Sequence, residues 1–180
     1  MGRIVAVEYL TLDGVFENPA WTQPYFDDTV AAFQGEAMQW ADALLLGRVT
    51  YDGMSEAWPA IGHDPSTGGD IMNSIGKYVP TSTLTEPAWN ATFLEGDVVG
   101  AVTDLKTGSE NLLVYGSGQL TETLRAAELI DEYRLLICPI VLGEGRKLFT
   151  GSAATRFTVT DSRTAPSGMA LLTLATASPA

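Results

Sequence analysis

Two glycine-bearing turns, each directly after an apolar run, carry the strongest chemical signal in this sequence. Gly-Arg-Val-Thr at 47–50 follows the apolar run at 43–46, and Gly-Ser-Gly-Gln at 116–119 follows the run at 112–115. Each pattern predicts a buried strand that ends at a glycine and turns into a helix. The first turn of a helix has unpaired N–H groups and a partial positive charge, which attract phosphate. Two such turns close together could hold both halves of a dinucleotide.

The charge balance limits which ligands the chain could bind. The 180 residues include 22 acidic and 10 basic side chains, for a formal net charge of −12 at pH 7. Nucleic acid binding needs clustered lysine and arginine, and the sequence has no such cluster. An anionic cofactor would therefore depend on local donors, which are backbone amides and a few basic side chains, Arg48 foremost.

Composition disfavours several other functional classes. One cysteine, Cys138, and one histidine, His63, are too few for a structural zinc site or an internal disulfide. No run of about 20 apolar residues is present, so no membrane-spanning segment is expected. The N-terminus does not have a signal-peptide pattern, and the protein is therefore expected to be cytoplasmic.

Strand and helix patterns alternate around the two glycine turns. Apolar runs predict strands at residues 3–10, 43–46, 77–84, 112–115 and 133–142. Apolar spacing of three and four residues predicts a first helix over 24–40, and shorter helices are predicted over 50–57 and 120–127. Residues 98–102 fit either a strand or a helix. Residues 61–76 are expected to form a loop with a helical turn near Met72.

This alternation predicts a fold class. Strands separated by helices imply an α/β protein with a mostly parallel central sheet and helices on both faces. The last two strands, around Phe157 and over 169–175, have no helix between them, so they are expected to pair as an antiparallel hairpin. No domain boundary or internal repeat is visible, and residues 1–180 are expected to form a single domain.

Five motifs, spread over nearly the whole chain, carry a resemblance to a known family. They are Leu-Asp-Gly at 12–14, Leu-Leu-Gly-Arg-Val-Thr-Tyr at 45–51, Tyr-Gly-Ser-Gly-Gln-Leu at 115–120, Leu-Ile-Asp-Glu-Tyr-Arg at 129–134 and Pro-Ile-Val-Leu-Gly-Glu-Gly at 139–145. With these motifs the chain resembles the dihydrofolate reductase-like family. It is most similar to stand-alone relatives of the reductase domain of the bacterial riboflavin-biosynthesis deaminase-reductase. The resemblance implies a three-layer dihydrofolate reductase-like fold.

The resemblance also implies that NADPH lies across the carboxyl ends of the strands. It assigns the turn at 47–50 to cofactor phosphates, with Arg48 near the 2′-phosphate, and the turn at 116–120 to the diphosphate and nicotinamide ribose. Some relatives carry an arginine near Thr83, and its absence here leaves NADH open as the cofactor. The expected cofactor-binding residues are Gly47, Arg48, Val49, Thr50, Thr81, Ser82, Thr83, Gly116, Ser117, Gly118, Gln119 and Leu120.

The substrate is expected between the loop at Asp13, the first helix and the loop after Leu142. Dihydrofolate reductases hold the pterin with a carboxylate of the first helix, near Asp27 and Asp28 here, although acids also favour helix N-termini for electrostatic reasons. Trp21 and Tyr25 could stack on a ring or pack as a lid. The expected catalytic candidates are Asp13, Asp27 and Asp28, and the expected substrate contacts are Trp21, Tyr25, Gly143, Glu144 and Gly145.

The function implied by the resemblance is NADPH-dependent reduction of a small heterocyclic or sugar-carbonyl substrate. The nearest named activity is 5-amino-6-(5-phosphoribosylamino)uracil reductase. Two alternatives stay open, a pterin reductase of the dihydrofolate reductase type and a non-catalytic nucleotide-binding dimeric module. A phosphorylated substrate would need further basic residues, and Arg146 and Lys147 are the best candidates. No metal, nucleic acid or membrane partner is expected, and a homodimer is expected through the strand at 133–142.

Overall fold

Strands and helices alternate along most of the chain, and the computed structural model describes residues 1–150 and 154–176. The strands are β1 (Ile4–Thr11), β2 (Ala43–Leu45), β3 (Gly76–Pro80), β4 (Ala91–Leu94), β5 (Leu112–Tyr115), β6 (Glu132–Cys138), β7 (Phe157–Thr164) and β8 (Ala170–Thr176). The α-helices are α1 (Asp28–Trp40), α2 (Arg48–Ile61), α3 (Gly69–Ser74), α4 (Val98–Thr107) and α5 (Gly118–Ala126). Short 3-10 helices span Pro19–Tyr25 and Pro65–Thr67.

One eight-stranded sheet is formed in the order β4-β3-β2-β5-β1-β6-β8-β7. The first six strands in the chain pair in parallel, whereas β8 pairs antiparallel with both β6 and β7. The predicted fold class, a mostly parallel sheet with an antiparallel C-terminal hairpin, is therefore confirmed. The ambiguous segment at 98–102 forms the start of α4, whose N-cap Asp97 accepts a hydrogen bond from the Gly100 amide.

Helices cover both faces of the sheet because the central strands bury side chains on both sides. On one face, Val5 and Val7 of β1 pack with Val30 and Phe33 of α1 and with Tyr51 of α2. On the other face, a second core contains Ile4, Ala6, Val102, Leu120 and Leu124, which come from β1, α4 and α5. The near-continuous apolar character of β1 follows from this double burial.

The first helix begins later than its apolar spacing predicted. Pro24 lies in the preceding 3-10 helix, and α1 starts at Asp28 after the N-cap Asp27, whose side chain accepts hydrogen bonds from two helix amides. Phe26, which belonged to the predicted stripe, is 53% exposed because it lies before the helix. The predicted stripe positions Val30, Phe33 and Ala37 are buried as expected.

Other element boundaries also differ from the prediction at prolines. Helix α2 runs from Arg48 to Ile61 and includes Pro59, which has no N–H and so removes one intrahelical hydrogen bond from the last turn. Strand β3 ends at Pro80 and β6 ends at Cys138, directly before Pro139, which has no N–H to donate to a strand ladder. The region 61–76, expected as a loop with a helical turn near Met72, contains the short helix α3 at that place.

The connections after β2 and β5 open a crevice at the carboxyl ends of these neighbouring strands. Strands β2 and β5 pair directly, with Leu45 opposite Val114. Helix α2 packs on one face through Tyr51, and α5 packs on the other through Leu120 and Leu124. Adjacent parallel strands whose helices leave to opposite faces form the usual ligand crevice of α/β sheets. In the described ranges, no helix combines the length and apolar character needed to cross a bilayer.

Candidate functional site

A cleft of about 810 Å³ lies at the carboxyl ends of β1 and β5. Its walls come from the strand ends, the first turns of α2 and α5, the loop before the first 3-10 helix, and Arg146. The lining residues include Glu8, Tyr9, Phe16, Glu17, Gly47, Arg48, Val49, Thr50, Pro80, Val98, Tyr115, Gly116, Ser117, Gly118, Gln119, Leu120 and Arg146. Both predicted glycine turns therefore face the same cleft.

The N-termini of α2 and α5 are joined directly. The Gly47 amide donates a hydrogen bond of 2.9 Å to Ser117 Oγ, across 70 positions of sequence. Within the described residues, neither helix has a side-chain cap for its first-turn amides. Those N–H groups have no acceptor inside an α-helix, so this wall of the cleft presents unpaired donors and two positive helix ends.

Glycine is required by the backbone on the α5 side of this wall. Gly116 has φ of +61°, in the left-handed region that favours glycine, and Ser117 follows with φ of +69°. A Cβ on Gly118 would lie 2.5 Å from the Phe16 ring, which packs directly on the helix start. The second glycine of the motif thus allows an aromatic wall to approach α5.

Arg48 is the first residue of α2, but its side chain already has a partner. Its guanidinium forms a 2.8 Å ion pair with Asp52 one helical turn later, and the two side chains are 47% and 43% exposed. An exposed pair of this kind contributes about 0–1 kcal/mol. Arg48 can therefore exchange Asp52 for a phosphate at small cost.

Glu8 is a lining residue that the sequence analysis missed. It is 1% exposed, and Thr121 Oγ1 of α5 donates a 2.6 Å hydrogen bond to its carboxylate. Burial raises the pKa of Glu8 from 4.5 to about 8, although the Thr121 hydrogen bond lowers it. The signal available in the sequence was an acid inside an otherwise apolar strand.

Two tyrosines at the strand ends also line the cleft and were not predicted. The Tyr115 hydroxyl accepts a hydrogen bond from Gln34 Nε2 of α1. Burial raises the pKa of Tyr115 to about 12, and it also raises the pKa of Tyr9. Both hydroxyls therefore keep their protons at neutral pH. These groups place hydrogen-bond donors and acceptors on the strands that line the cleft.

Three predicted cofactor residues lie outside the cleft lining. Thr81 Oγ1 accepts hydrogen bonds from the amides of Thr83 and Leu84, at 3.2 and 3.1 Å, and this closes a local turn that also contains Ser82. The preceding residue, Pro80, is the one that lines the cleft.

Asp13 is placed as a loop anchor outside the cleft lining. Its carboxylate accepts hydrogen bonds from Thr11 Oγ1 at 2.6 Å, from the Gly143 amide at 2.9 Å and from the Leu142 amide at 3.2 Å. These bonds, led by that of Thr11, lower the pKa of Asp13 to about 2. Asp13 therefore ties the loop after β1 to the loop after β6.

Neither acid of the first helix lines the cleft. Asp27 Oδ1 caps α1 by accepting from the Thr29 and Val30 amides, and Asp27 Oδ2 accepts from the Ser167 amide at 2.9 Å. The Val30 amide contributes most to lowering the pKa of Asp27. Asp28 is exposed at the first position of the helix. The structure thus favours the capping interpretation.

The remaining predicted substrate residues do not line the cleft. Trp21 and Tyr25 are partly buried and pack on the core beside α1, and Trp21 Nε1 donates to the Glu17 carbonyl at 3.1 Å. Gly143, Glu144 and Gly145 lie in an exposed loop. Arg146, next to Gly145, does line the cleft, as do Pro19 and Thr22 of the first 3-10 helix.

Comparison with known proteins identifies relatives along nearly the whole chain. Residues 3–171 match the family described as the RibD C-terminal domain. The uncharacterised protein YyaP of Bacillus subtilis (strain 168) is 32% identical over 152 residues, which cover 82% of this chain and 80% of YyaP.

Solved structures share the dihydrofolate reductase-like fold. A putative riboflavin biosynthesis protein from Shewanella sp. PV-4 aligns with a TM-score of 0.72 at 22% identity, covering 98% of this chain and 99% of that chain. The diaminohydroxyphosphoribosylaminopyrimidine deaminase/5-amino-6-(5-phosphoribosylamino)uracil reductase of Thermotoga maritima aligns with a TM-score of 0.70 at 15% identity, over 98% of this chain and 57% of that chain. The extent of the family match, together with the identity to YyaP, shows that this chain belongs to the RibD C-terminal domain family.

Proposed function

We propose that the protein is a reductase that uses NADPH to reduce a small heterocyclic or sugar-carbonyl substrate. The observation that carries this proposal is the pair of uncapped helix N-termini, joined by the Gly47–Ser117 hydrogen bond, at one wall of a cleft of about 810 Å³. Family membership and the riboflavin-related names of the structural neighbours support the same class of reaction.

The donors of this wall fit the phosphates of a dinucleotide. The first-turn amides of α2 and α5 would bind phosphate oxygens, which is how helix N-termini hold anions. Arg48 would add a charged donor once it leaves Asp52, and its guanidinium can bind two of the three terminal oxygens of a 2′-phosphate. A chain of net charge −12 needs such local donors to bind a polyanion.

The bound cofactor supplies a hydride, and the protein supplies orientation, exclusion of water and hydrogen bonds. Phe16, Val7 and Pro80 supply apolar surface to the walls of the cavity. The Tyr115 hydroxyl accepts its hydrogen bond from Gln34, so its own proton is free to be donated to a ligand. Glu8 keeps its proton near neutral pH and therefore places no negative charge beside α5.

The alternative of a pterin reductase depends on a carboxylate of the first helix. Asp27 uses both carboxylate oxygens to hold α1 and the Ser167 amide, and Asp28 is exposed away from the cleft lining. Neither candidate acid therefore supports the pterin alternative, and the remaining acid of the helix, Glu36, accepts hydrogen bonds from Arg163 outside the cleft lining. The non-catalytic module shares the cofactor site and differs only in turnover.

Loss of NADPH absorbance, followed with folded protein and a panel of reducible pyrimidines, pterins and sugar carbonyls, tests the proposed function. We expect protein-dependent oxidation of NADPH with at least one pyrimidine or sugar-carbonyl compound. Oxidation with pterins alone would support the pterin reductase instead. Saturable NADPH binding without turnover on the whole panel would favour the non-catalytic module.

A further inference from the structure

We propose that Gln34 of α1 is a positioning residue that makes the Tyr115 hydroxyl a hydrogen-bond donor for an uncharged acceptor atom of the compound to be reduced. This role deepens the proposed function, on which it rests, by assigning one donor and one orienting side chain to the second ligand of the cleft. Tyr115 lines the cleft at the end of β5. Gln34 lies outside the five sequence motifs.

Gln34 is the polar member of the buried face of α1. The buried residues of this helix are Val30, Phe33, Gln34, Ala37 and Met38, and Gln34 is 8% exposed. A buried amide costs free energy unless it is hydrogen-bonded. Gln34 Nε2 donates to the Tyr115 hydroxyl oxygen, across 81 positions of sequence. This contact therefore satisfies the amide and joins α1 to the end of β5.

The direction of this hydrogen bond decides what Tyr115 can offer to a ligand. An amide N–H can only donate, whereas a phenol oxygen accepts through its lone pairs and donates through its single proton. Because Gln34 donates, the Tyr115 oxygen is the acceptor in this pair. The phenol proton is then directed to a different acceptor. A carboxylate in place of Gln34 would accept that proton and reverse the direction.

The backbone of Tyr115 is also fixed before any ligand binds. Tyr115 lies opposite Val7 of β1, which lines the cleft as well. The Gly116 amide donates a 3.0 Å hydrogen bond to the Val7 carbonyl, and Gly116 turns the chain with φ of +61°. Strands β1 and β5 therefore hold the main chain while α1 holds the hydroxyl. A donor fixed in this way loses little freedom on binding.

The donors at this part of the cleft are neutral phenols. Burial raises the pKa of Tyr115 to about 12. Burial also raises the pKa of Tyr9, and Tyr115 and Cys138 add to that effect, so these groups lie near one another. Neutral donors of this kind suit a carbonyl oxygen or an imine nitrogen. Phosphate groups are better bound at the two helix N-termini, which carry partial positive charge.

Equilibrium titrations with two uncharged acceptor compounds test this role. The compounds are uracil, a pyrimidine with ring carbonyls, and ribono-1,4-lactone, a sugar carbonyl. Each is titrated with and without saturating NADP⁺, which cannot reduce it. The variants are Tyr115→Phe, Gln34→Glu and Gln34→Met, and circular dichroism checks folding. Tyr133→Phe is the matched control, because Tyr133 is a buried tyrosine outside the cleft lining.

We expect Tyr115→Phe to weaken binding of at least one compound by about 2- to 10-fold, the range for a neutral hydrogen bond. Gln34→Glu should cause a similar loss at about pH 9, where the introduced carboxyl is ionised and accepts the Tyr115 proton. Gln34→Met has no donor and leaves the hydroxyl free to rotate, so its loss should be smaller. Tyr133→Phe should change affinity by less than about twofold, since the Tyr133 hydroxyl has no hydrogen-bond partner among the described residues.

Fluorine NMR of protein labelled with 3-fluorotyrosine reports on the hydroxyl directly. The chain has six tyrosines, and the Tyr115 resonance is the one that Tyr115→Phe removes. Adding uracil or the lactone should move this resonance in the wild type, and the movement should be smaller in Gln34→Glu. A purely structural role of Gln34 would leave the response of Tyr115 to the ligand unchanged.

The role of Gln34 is overturned if Tyr115→Phe or Gln34→Glu binds both compounds as the wild type does, or if Tyr133→Phe shows the same losses. It is also overturned if the wild type binds neither compound. If Gln34→Glu does not fold, Gln34→Met decides, and wild-type affinity in that variant overturns the role. A wild type that binds these compounds but no dinucleotide contradicts the proposed function, and the titrations without cofactor then still decide the role of Gln34.

Discussion

Arg48 has two possible partners, the Asp52 carboxylate and a cofactor phosphate. Because the pair with Asp52 is exposed and weak, we expect Arg48→Ala to weaken NADPH binding by roughly 1–3 kcal/mol, the usual range for a charged hydrogen bond. The loss should be larger for NADPH than for NADH if the partner is the 2′-phosphate. Parallel titrations with both coenzymes measure the difference, and an equal loss for both would assign Arg48 to another part of the cofactor.

Asp52→Asn is the matched variant for the same pair. It removes the competing carboxylate while it keeps the shape of the side chain, so Arg48 becomes free for a ligand. We expect slightly tighter NADPH binding, by less than about 1 kcal/mol. Weaker NADPH binding in Asp52→Asn would mean that the ion pair holds Arg48 in its binding position.

The buried carboxyl of Glu8 predicts how stability depends on pH. Between pH 4.5 and about 8 the folded state keeps a proton that the unfolded state has released, because burial raises the folded pKa. The free energy of unfolding should therefore fall as pH rises through this window, by up to ~1.4 kcal/mol per pH unit from this group, and level off above it.

Glu8→Gln removes this titration and retains a hydrogen-bonding partner for Thr121. Denaturant unfolding at several pH values should show that the variant is more stable than wild type near pH 8 and that the slope between pH 5 and 8 becomes shallower. An unchanged slope would show that Glu8 is already ionised in the folded protein.

Residue types alone did not reveal which polar side chains are available to a ligand and which are already hydrogen-bonded within the fold. Asp27 was a reasonable candidate for binding substrate, but one of its oxygens is bonded to Ser167, 140 positions away, and no local pattern indicates that contact. Glu8 faces Thr121 across 113 positions for the same reason. The glycine turns were predictable because strand, glycine and helix follow one another directly in the chain.

At the scale of elements, the start of α5 depends on its contact with Phe16. Gly118→Ala would place a methyl group 2.5 Å from the ring, so we expect a loss of about 1–3 kcal/mol of stability from overpacking. Gly35→Ala in α1 is the control, because nothing lies within 4 Å of its Cβ position, and it should stabilise the protein by up to ~1 kcal/mol. Thermal unfolding measures both, and a neutral Gly118→Ala would show that Phe16 can move away.

Element types were predicted better than element ends. Strand β1 and the C-terminal hairpin follow from continuous or alternating apolar residues, which depend only on local sequence. The ends near Pro59 and Pro139 were not predictable from the prolines alone, since one lies inside the last turn of α2 and the other ends β6. Tertiary contacts decide whether a proline interrupts an element or is accommodated in it.

At the scale of the whole molecule, β6 is an interior strand of the sheet and has no free side for a strand of a second chain. It pairs with β1 on one side and β8 on the other, so the homodimer expected through residues 133–142 cannot form by pairing of β6 with a strand of a second copy, and a homodimer stays a prediction. We propose instead that a homodimer uses the surface around β7, an edge strand on which Val159 is 58% exposed. Light scattering should give twice the chain mass, and Val159→Lys should lower it towards the monomer. A monomeric wild type would contradict the dimer.

The central claim is that the two joined helix N-termini hold the phosphates of a reduced pyridine dinucleotide. Calorimetric titration of the folded wild-type protein with NADPH, and separately with NADH, tests it most directly. The account predicts saturable heat with one cofactor per chain and tighter binding of NADPH. Absence of heat with both coenzymes, in protein shown to be folded, would contradict it.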